Sequence, residues 1–321
     1  MAVKYNESVT VRDLFLPDRK MRRSELSHES IKRREAVSFC RKERTEINMI
    51  HEKIDMRNEA SMEYAALYTY MLDDSAEIGI HKRPAVIICP GGGYGMTSDR
   101  EAEIVAMQFC AMGYHAAVLR YSVAPARFPA ALLELGKAVQ TIRQNAAEWH
   151  VDTERIIICG FSAGGHMAGS YGTFWSEDWV GQALGADKEE LRPNGMILCY
   201  PVITSGDFAH VDSFKNLLGD GYDAKKDSVS LEKHVNANVP RTFLWHTAED
   251  DCVPVQNSLL YASALAEHHI PVELHIFEKG GHGLSLGSRL TCNEGGYGLN
   301  PACQKWIGLV HTWIENWLSR E

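Results

Sequence analysis

The sequence predicts an α/β fold with a mostly parallel central sheet and helices on both of its faces. Three observations predict it. From Tyr64 onward, short apolar or β-branched runs alternate with stretches of helical length. The connections between them span only a few residues, as in a βαβ succession. The runs AVIIC, RIIIC and MILCY are apolar throughout, which is how strands covered on both faces read.

Taken in order, residues 1–60 stand apart. They hold 14 Lys and Arg against 11 Asp and Glu, whereas the rest of the chain holds 19 against 31. The stretch SHESIKRREAVSFCRKERTEINMIHEKI carries Ile31, Val37, Cys40, Ile47, Ile50 and Ile54 at roughly helical spacing, so 1–60 is expected to be a helical extension and 61–321 the catalytic domain. The cluster Lys32–Arg34 reads as a solvated helix face, and the extension is where a second copy of the chain, in a homo-oligomer, would dock. Strands are expected near 64–72, 85–89, 115–120, 155–159, 196–200, 242–247 and 272–277. Helices are expected near 99–112, 130–149, 165–175, 255–269 and 302–318. In the last of these Trp306, Leu309, Val310, Trp313, Ile314 and Trp317 share one stripe, which marks the tryptophans as core.

Composition excludes several classes. A net charge of -9 disfavours nucleic acid or an anionic membrane as partner. No apolar run approaches the roughly 18 residues of a membrane span, and the first residues lack the layout of a secretory signal, so a soluble cytoplasmic protein is expected. The eight cysteines form no C-x-x-C pair; Cys89, Cys159 and Cys199 lie in strand-like runs and read as reduced core residues. No metal-ligand spacing is evident, so neither metal nor organic cofactor is expected.

The chemistry points to GFSAGG at 160–165. Ser162 follows the run RIIIC and precedes a helix-forming stretch, the context in which a G-x-S-x-G serine stands out on a sharp turn. GLSLG at 283–287 also fits the pattern, but Ser285 has no strand before it and no helix after it. A serine needs a base, an orienting acid and oxyanion donors. His282 follows the last expected strand on a glycine-flanked loop. The acid must come from HTAEDDCVPV, where Glu249, Asp250 and Asp251 compete. The loop PGGGYG after AVIIC supplies Gly92 and Gly93, which join the Ala163 amide as candidate donors. It is no nucleotide loop, because no Lys follows and Met96 replaces the third glycine of G-x-G-x-x-G. Tyr94, Met96, Tyr200 and Trp245, near the ends of strands, are candidates for the wall of an acyl pocket.

These residues resemble the α/β-hydrolase superfamily, within it the acetylxylan esterases and hormone-sensitive-lipase-like esterases. The likeness lies in RPAVIICPGGGYGMTSDREAE, LRYSVAPARFPAALLELGKAVQTIR, NAAEWHVDTERIIICGFSAGGHMAG, FLWHTAEDDCVPVQNSLLYASAL and PVELHIFEKGGHGLSL. The resemblance implies a D-x-x-V-P acid, hence Asp250, and a Ser162-His282-Asp250 triad. Pro90 stands where lipase-like members carry the His of H-G-G-G, a departure that favours bacterial acetyl and feruloyl carbohydrate esterases. The implied substrate is a small acyl ester, acetylated xylo-oligosaccharide first. An arylformamidase, a serine peptidase or a non-catalytic binding protein on the same fold are the alternatives.

Overall fold

The computed structural model describes residues 49–318. The extension expected at 1–60 therefore falls outside the described residues up to position 48. Where it enters them, the helical expectation is corrected: Lys53–Asp55 forms a short strand, β1, paired antiparallel with β2, Ala66–Tyr70. KID is too short and polar to announce itself, and its conformation comes from a neighbouring edge that takes its hydrogen bonds.

Six further strands follow: β3 Arg83–Cys89, β4 His115–Arg120, β5 Val151–Phe161, β6 Gly195–Cys199, β7 Arg241–Thr247 and β8 Val272–Phe277. All were expected, β5 at less than half its length. They form one sheet in the order β1-β2-β4-β3-β5-β6-β7-β8. β1 and β2 are antiparallel to their neighbours and every other pairing is parallel. β5 is thus central, flanked by β3 and β6, and the loops leaving these three strands meet at one edge.

Among the described residues the helices are α1 Glu103–Ala111, α2 Ala130–Gln144, α3 Ala163–Phe174, α4 Asp178–Leu184, α5 Lys188–Leu191, α6 Val211–Leu218, α7 Tyr222–Lys225, α8 Gln256–Glu267 and α9 Trp306–Leu318. Side chains alternate across the sheet. Ile87, Ile158, Leu198 and Leu244 pack with Leu135 and Val139 of α2, Met167 of α3 and Leu265 of α8. Val86, Ile157, Ile197 and Phe243 pack on the other face with Phe109 of α1 and Trp306, Val310 and Ile314 of α9. Each such buried aliphatic or aromatic side chain contributes about 1.5–3 kcal/mol, so the two layers hold the sheet rigid beneath its loops. Cys89, Cys159 and Cys199 are buried and free, in these same layers. Among the described residues no helix is long and apolar enough to cross a membrane.

Candidate active site

Ser162 sits between the end of β5 and the first turn of α3, with φ 52° and ψ -119°. A non-glycine residue pays roughly 1–3 kcal/mol for such a conformation, and it persists only where the surroundings enforce it. They do so by close packing. A Cβ on Gly160 would collide with the Gly164 carbonyl, and one on Gly164 with the Cys89 carbonyl, so strand, turn and helix fit only if both lack side chains. Ser162 N-H donates to Cys199 O at 3.0 Å, tying the turn to the end of β6.

His282 lies on the loop after β8. Its Nε2 accepts from Ser162 Oγ at 2.7 Å, and its Nδ1-H donates to Asp250 Oδ2 at 2.7 Å. Because a carboxylate can only accept, the second bond places the proton on Nδ1 and leaves Nε2 as the acceptor facing the serine. The His282 side chain is 18% exposed and the Asp250 side chain 0%. Tyr297 donates from its hydroxyl to His282 O at 2.5 Å, and the Tyr200 ring stands edge-on to the imidazole with centroids 5.2 Å apart.

Of the three competing acids the fold brings Asp250 to His282. Glu249 is exposed and pairs with Lys279 at 2.6 Å; Asp251 is exposed. Burial pushes the Asp250 carboxyl up, but hydrogen bonds from His246, His282 and the Val253 amide outweigh it and hold the group well below the usual carboxylate range. Sequence reasoning missed His246. Fully buried in β7, it takes the Ser258 hydroxyl on Nδ1 at 2.8 Å, so its Nε2-H is free to donate to Val253 O at 2.8 Å and toward Asp250 Oδ2 at 3.3 Å. Its only sequence signal is position, four residues before the acid.

The loop after β3 approaches Ser162 from the other side. Gly92 has φ +133° and Gly93 φ +62°, the first of them open to glycine only. Their amides and that of Ala163, the first residue of α3, lie on the two backbone segments that flank the serine. Asn216 of α6 donates to Gly93 O at 2.9 Å, which fixes the loop from above. His210, at the start of the same helix, accepts from the Ser213 hydroxyl at 2.8 Å, and burial lowers its pKa. Neither residue was legible in the sequence.

The three aromatic candidates are buried. Tyr94 donates its hydroxyl to His166 Nδ1 at 2.8 Å and lines a narrow apolar cavity of about 10 Å³ with Phe128, Leu132, Met167 and Leu217, room for one water. Tyr200 is 1% exposed, and its hydroxyl donates to Glu101 Oε1 at 2.7 Å while accepting from Ser285 N-H at 2.8 Å. Trp245 is wholly buried, stacked on Trp306 at 5.5 Å, so the pocket-wall expectation is corrected to a core role: its indole faces the layer beneath the sheet. Met96 is 57% exposed on the loop that carries Gly92 and Gly93. Ser285 is buried, its hydroxyl donating to Arg100 O at 2.6 Å, which leaves it no role as a second nucleophile.

A hydroxyl bonded to a neutral imidazole whose tautomer is held by a buried carboxylate can attack an acyl carbon, and backbone amides on the flanking segments are the groups that can stabilise the resulting oxyanion. Known proteins resemble the chain accordingly. The BD-FAE family model matches residues 76–265, more than half of it. Endo-1,4-beta-xylanase B of Butyrivibrio fibrisolvens is 38% identical over 255 residues, 76% of this chain and 39% of that protein. Acetylxylan esterase of Xylanibacter ruminicola is 29% identical over 216 residues, 64% of this chain and 42% of that one. The chain thus spans about two fifths of the length of these curated relatives. Among solved structures, an acetyl ester-xyloside bifunctional hydrolase from Caldicellulosiruptor lactoaceticus is 36% identical with a TM-score of 0.70, covering 83% of this chain and 96% of that one.

Proposed function

The chain belongs to the BD-FAE family and has the α/β-hydrolase fold, and from that premise we propose that it is a carboxylic ester hydrolase that removes short acyl groups by a Ser162-His282-Asp250 triad. The observation that carries the proposal is the unbroken chain of 2.7 Å hydrogen bonds from Ser162 through His282 to Asp250. Ser162 Oγ attacks the ester carbonyl as His282 Nε2 takes its proton. The Ala163, Gly92 and Gly93 amides receive the charge on the carbonyl oxygen. His282 then returns the proton to the leaving alcohol, and the acyl-enzyme is hydrolysed by a water that the same imidazole deprotonates. Asp250 keeps the imidazole in its Nδ1-H tautomer.

For the substrate we propose acetyl esters of xylo-oligosaccharides, supported by the similarity to the acetylxylan esterase of Xylanibacter ruminicola and to the acetyl ester-xyloside hydrolase of Caldicellulosiruptor lactoaceticus. The test is initial rates on p-nitrophenyl esters from acetate to octanoate, and acetate release from acetylated xylo-oligosaccharides, with Ser162→Ala in parallel. Activity on short chains and on the sugar, lost by at least about 10³-fold in the variant, is the expected outcome. Activity that survives the substitution overturns the serine mechanism. Good rates on aryl acetates with no release from the sugar overturn the substrate alone.

A further inference from the structure

Glu101 has no place in the mechanism above, yet it is 4% exposed and lies beside the reacting serine. It ends a single turn of 3₁₀ helix, Asp99–Glu101, that follows the glycine loop. Its Oε2 accepts from Gly91 N-H at 2.8 Å, and its Oε1 accepts from the Tyr200 hydroxyl at 2.7 Å. Tyr200 in turn accepts Ser285 N-H at 2.8 Å, three residues beyond His282. One carboxylate thus joins the loop after β3, the shoulder after β6 and the loop after β8. These are the segments that carry the candidate oxyanion amides, flank the Ser162 turn and present the base.

The fit at Gly91 shows how tightly this brace is set. A Cβ there would lie 2.8 Å from Glu101 Oε2, 2.8 Å from Phe161 O and 2.9 Å from Ser162 Cβ. Gly91 is therefore wedged between the carboxylate and the serine, and the next two residues are Gly92 and Gly93. The loop closes on itself as well, through Ser98 N-H to Gly91 O at 2.9 Å and Gly95 N-H to Gly92 O at 3.0 Å, so a pull on Gly91 is transmitted along it. Both Glu101 oxygens are engaged, by the Gly91 amide and the Tyr200 hydroxyl, so the contribution of Glu101 comes from where it holds the loop.

We propose that Glu101 is a positioning residue, bracing the oxyanion loop and the base loop at the spacing the transition state requires through Gly91 and Tyr200; the proposal rests on the triad reading of Ser162. Glu101→Gln keeps the shape but offers one acceptor oxygen where the carboxylate offers two, so one of the two donors must find another partner. Glu101→Ala leaves both unmet. Tyr200→Phe keeps the ring against His282 and removes only the bridge.

The experiment measures kcat and KM for p-nitrophenyl acetate, each rate normalised to the serines titrated by a fluorophosphonate, and the affinity of an aryl boronic acid, whose tetrahedral adduct occupies the oxyanion site. Expected are a kcat per titrated serine lowered roughly tenfold in Glu101→Gln and Tyr200→Phe and roughly a hundredfold in Glu101→Ala, the size of effect a misplacement of about 1 Å produces. KM should stay within about twofold, and boronate affinity should weaken in step with kcat. An unchanged kcat per titrated serine with unchanged boronate affinity would overturn the proposal, even if the variants yield less folded protein, since the residue would then serve stability alone. Ser162→Ala is the control. If it retains the wild-type rate, the triad reading falls and this inference with it; if it is inactive while the Glu101 variants run at full rate, only the inference falls.

Discussion

At the scale of single residues the site depends on how one acid is selected from three neighbours. Asp250 is buried, takes the amides of Cys252 and Val253 on Oδ1 and holds His282 through Oδ2, whereas Glu249 and Asp251 are exposed. Asp250→Asn should therefore lower kcat by about 10⁴-fold, because an amide facing Nδ1 favours the wrong imidazole tautomer. Asp251→Asn should leave kcat within about threefold, the scale of an exposed charge. Comparable losses in both would show that the wrong carboxylate has been named. His246 belongs to the same local design, since its Nε2-H reaches the oxygen that also serves His282. The sequence made Ser162 and His282 legible because glycines and chain order mark them. His246 and Glu101 stayed hidden because each acts through another side chain, and such contacts carry no local pattern.

At the scale of elements, seven strands were legible because continuous apolar runs have one reading between short loops. What escaped lies mainly between residues 178 and 233, where short helices and 3₁₀ turns follow one another. α6 illustrates the reason: Val211, Phe214, Leu217 and Leu218 make an apolar stripe, but eight residues are too few to stand out against the loops around them. Yet α6 is the roof of the glycine loop. Asn216 donates to Gly93 O; its own carbonyl accepts from Arg127 at 2.6 Å; and Leu217 O accepts from Phe128 N-H at 2.9 Å. Asn216→Ala should cost about 1 kcal/mol of stability, one ordinary hydrogen bond, while lowering kcat roughly tenfold by freeing the loop. Asn216→Asp should be worse than Asn216→Ala, since its carboxylate would face the Gly93 carbonyl. Steady-state kinetics beside thermal melts test the ranking, and a variant that loses stability without losing kcat would remove α6 from the account of the site.

At the scale of the whole molecule, two buried histidines tie function to acid stability. His166 of α3 donates Nε2-H to Val229 O at 2.8 Å, so its Nδ1 must accept from Tyr94; His115 of β4 accepts Leu72 N-H on Nδ1 at 3.1 Å and donates to His150 O at 3.1 Å. Each ring is satisfied only while neutral, and burial pushes both pKa values down to about 4. The unfolded chain, with a His pKa of about 6.5, binds protons that the folded chain refuses. Stability is therefore at its full value above about pH 6.5 and is lost as the pH falls toward 4, by about 3 kcal/mol for each histidine, a large share of the 5–15 kcal/mol typical of a domain. Asp250 adds a loss lower down, below about pH 3.9, because its carboxyl is held deprotonated in the folded state. Protonating His166 also takes away the acceptor for Tyr94, which follows Gly93 in the glycine loop, so the site should loosen as the molecule weakens. Chemical denaturation followed from pH 8 to 4 should show stability flat above 6.5 and falling below it. In His166→Gln, which lacks the titrating ring, the slope in the acid window should be shallower by about 1.4 kcal/mol per pH unit. An unchanged slope in that variant would mean that His166 takes up its proton without unfolding, and that the Tyr94 anchor gives way first.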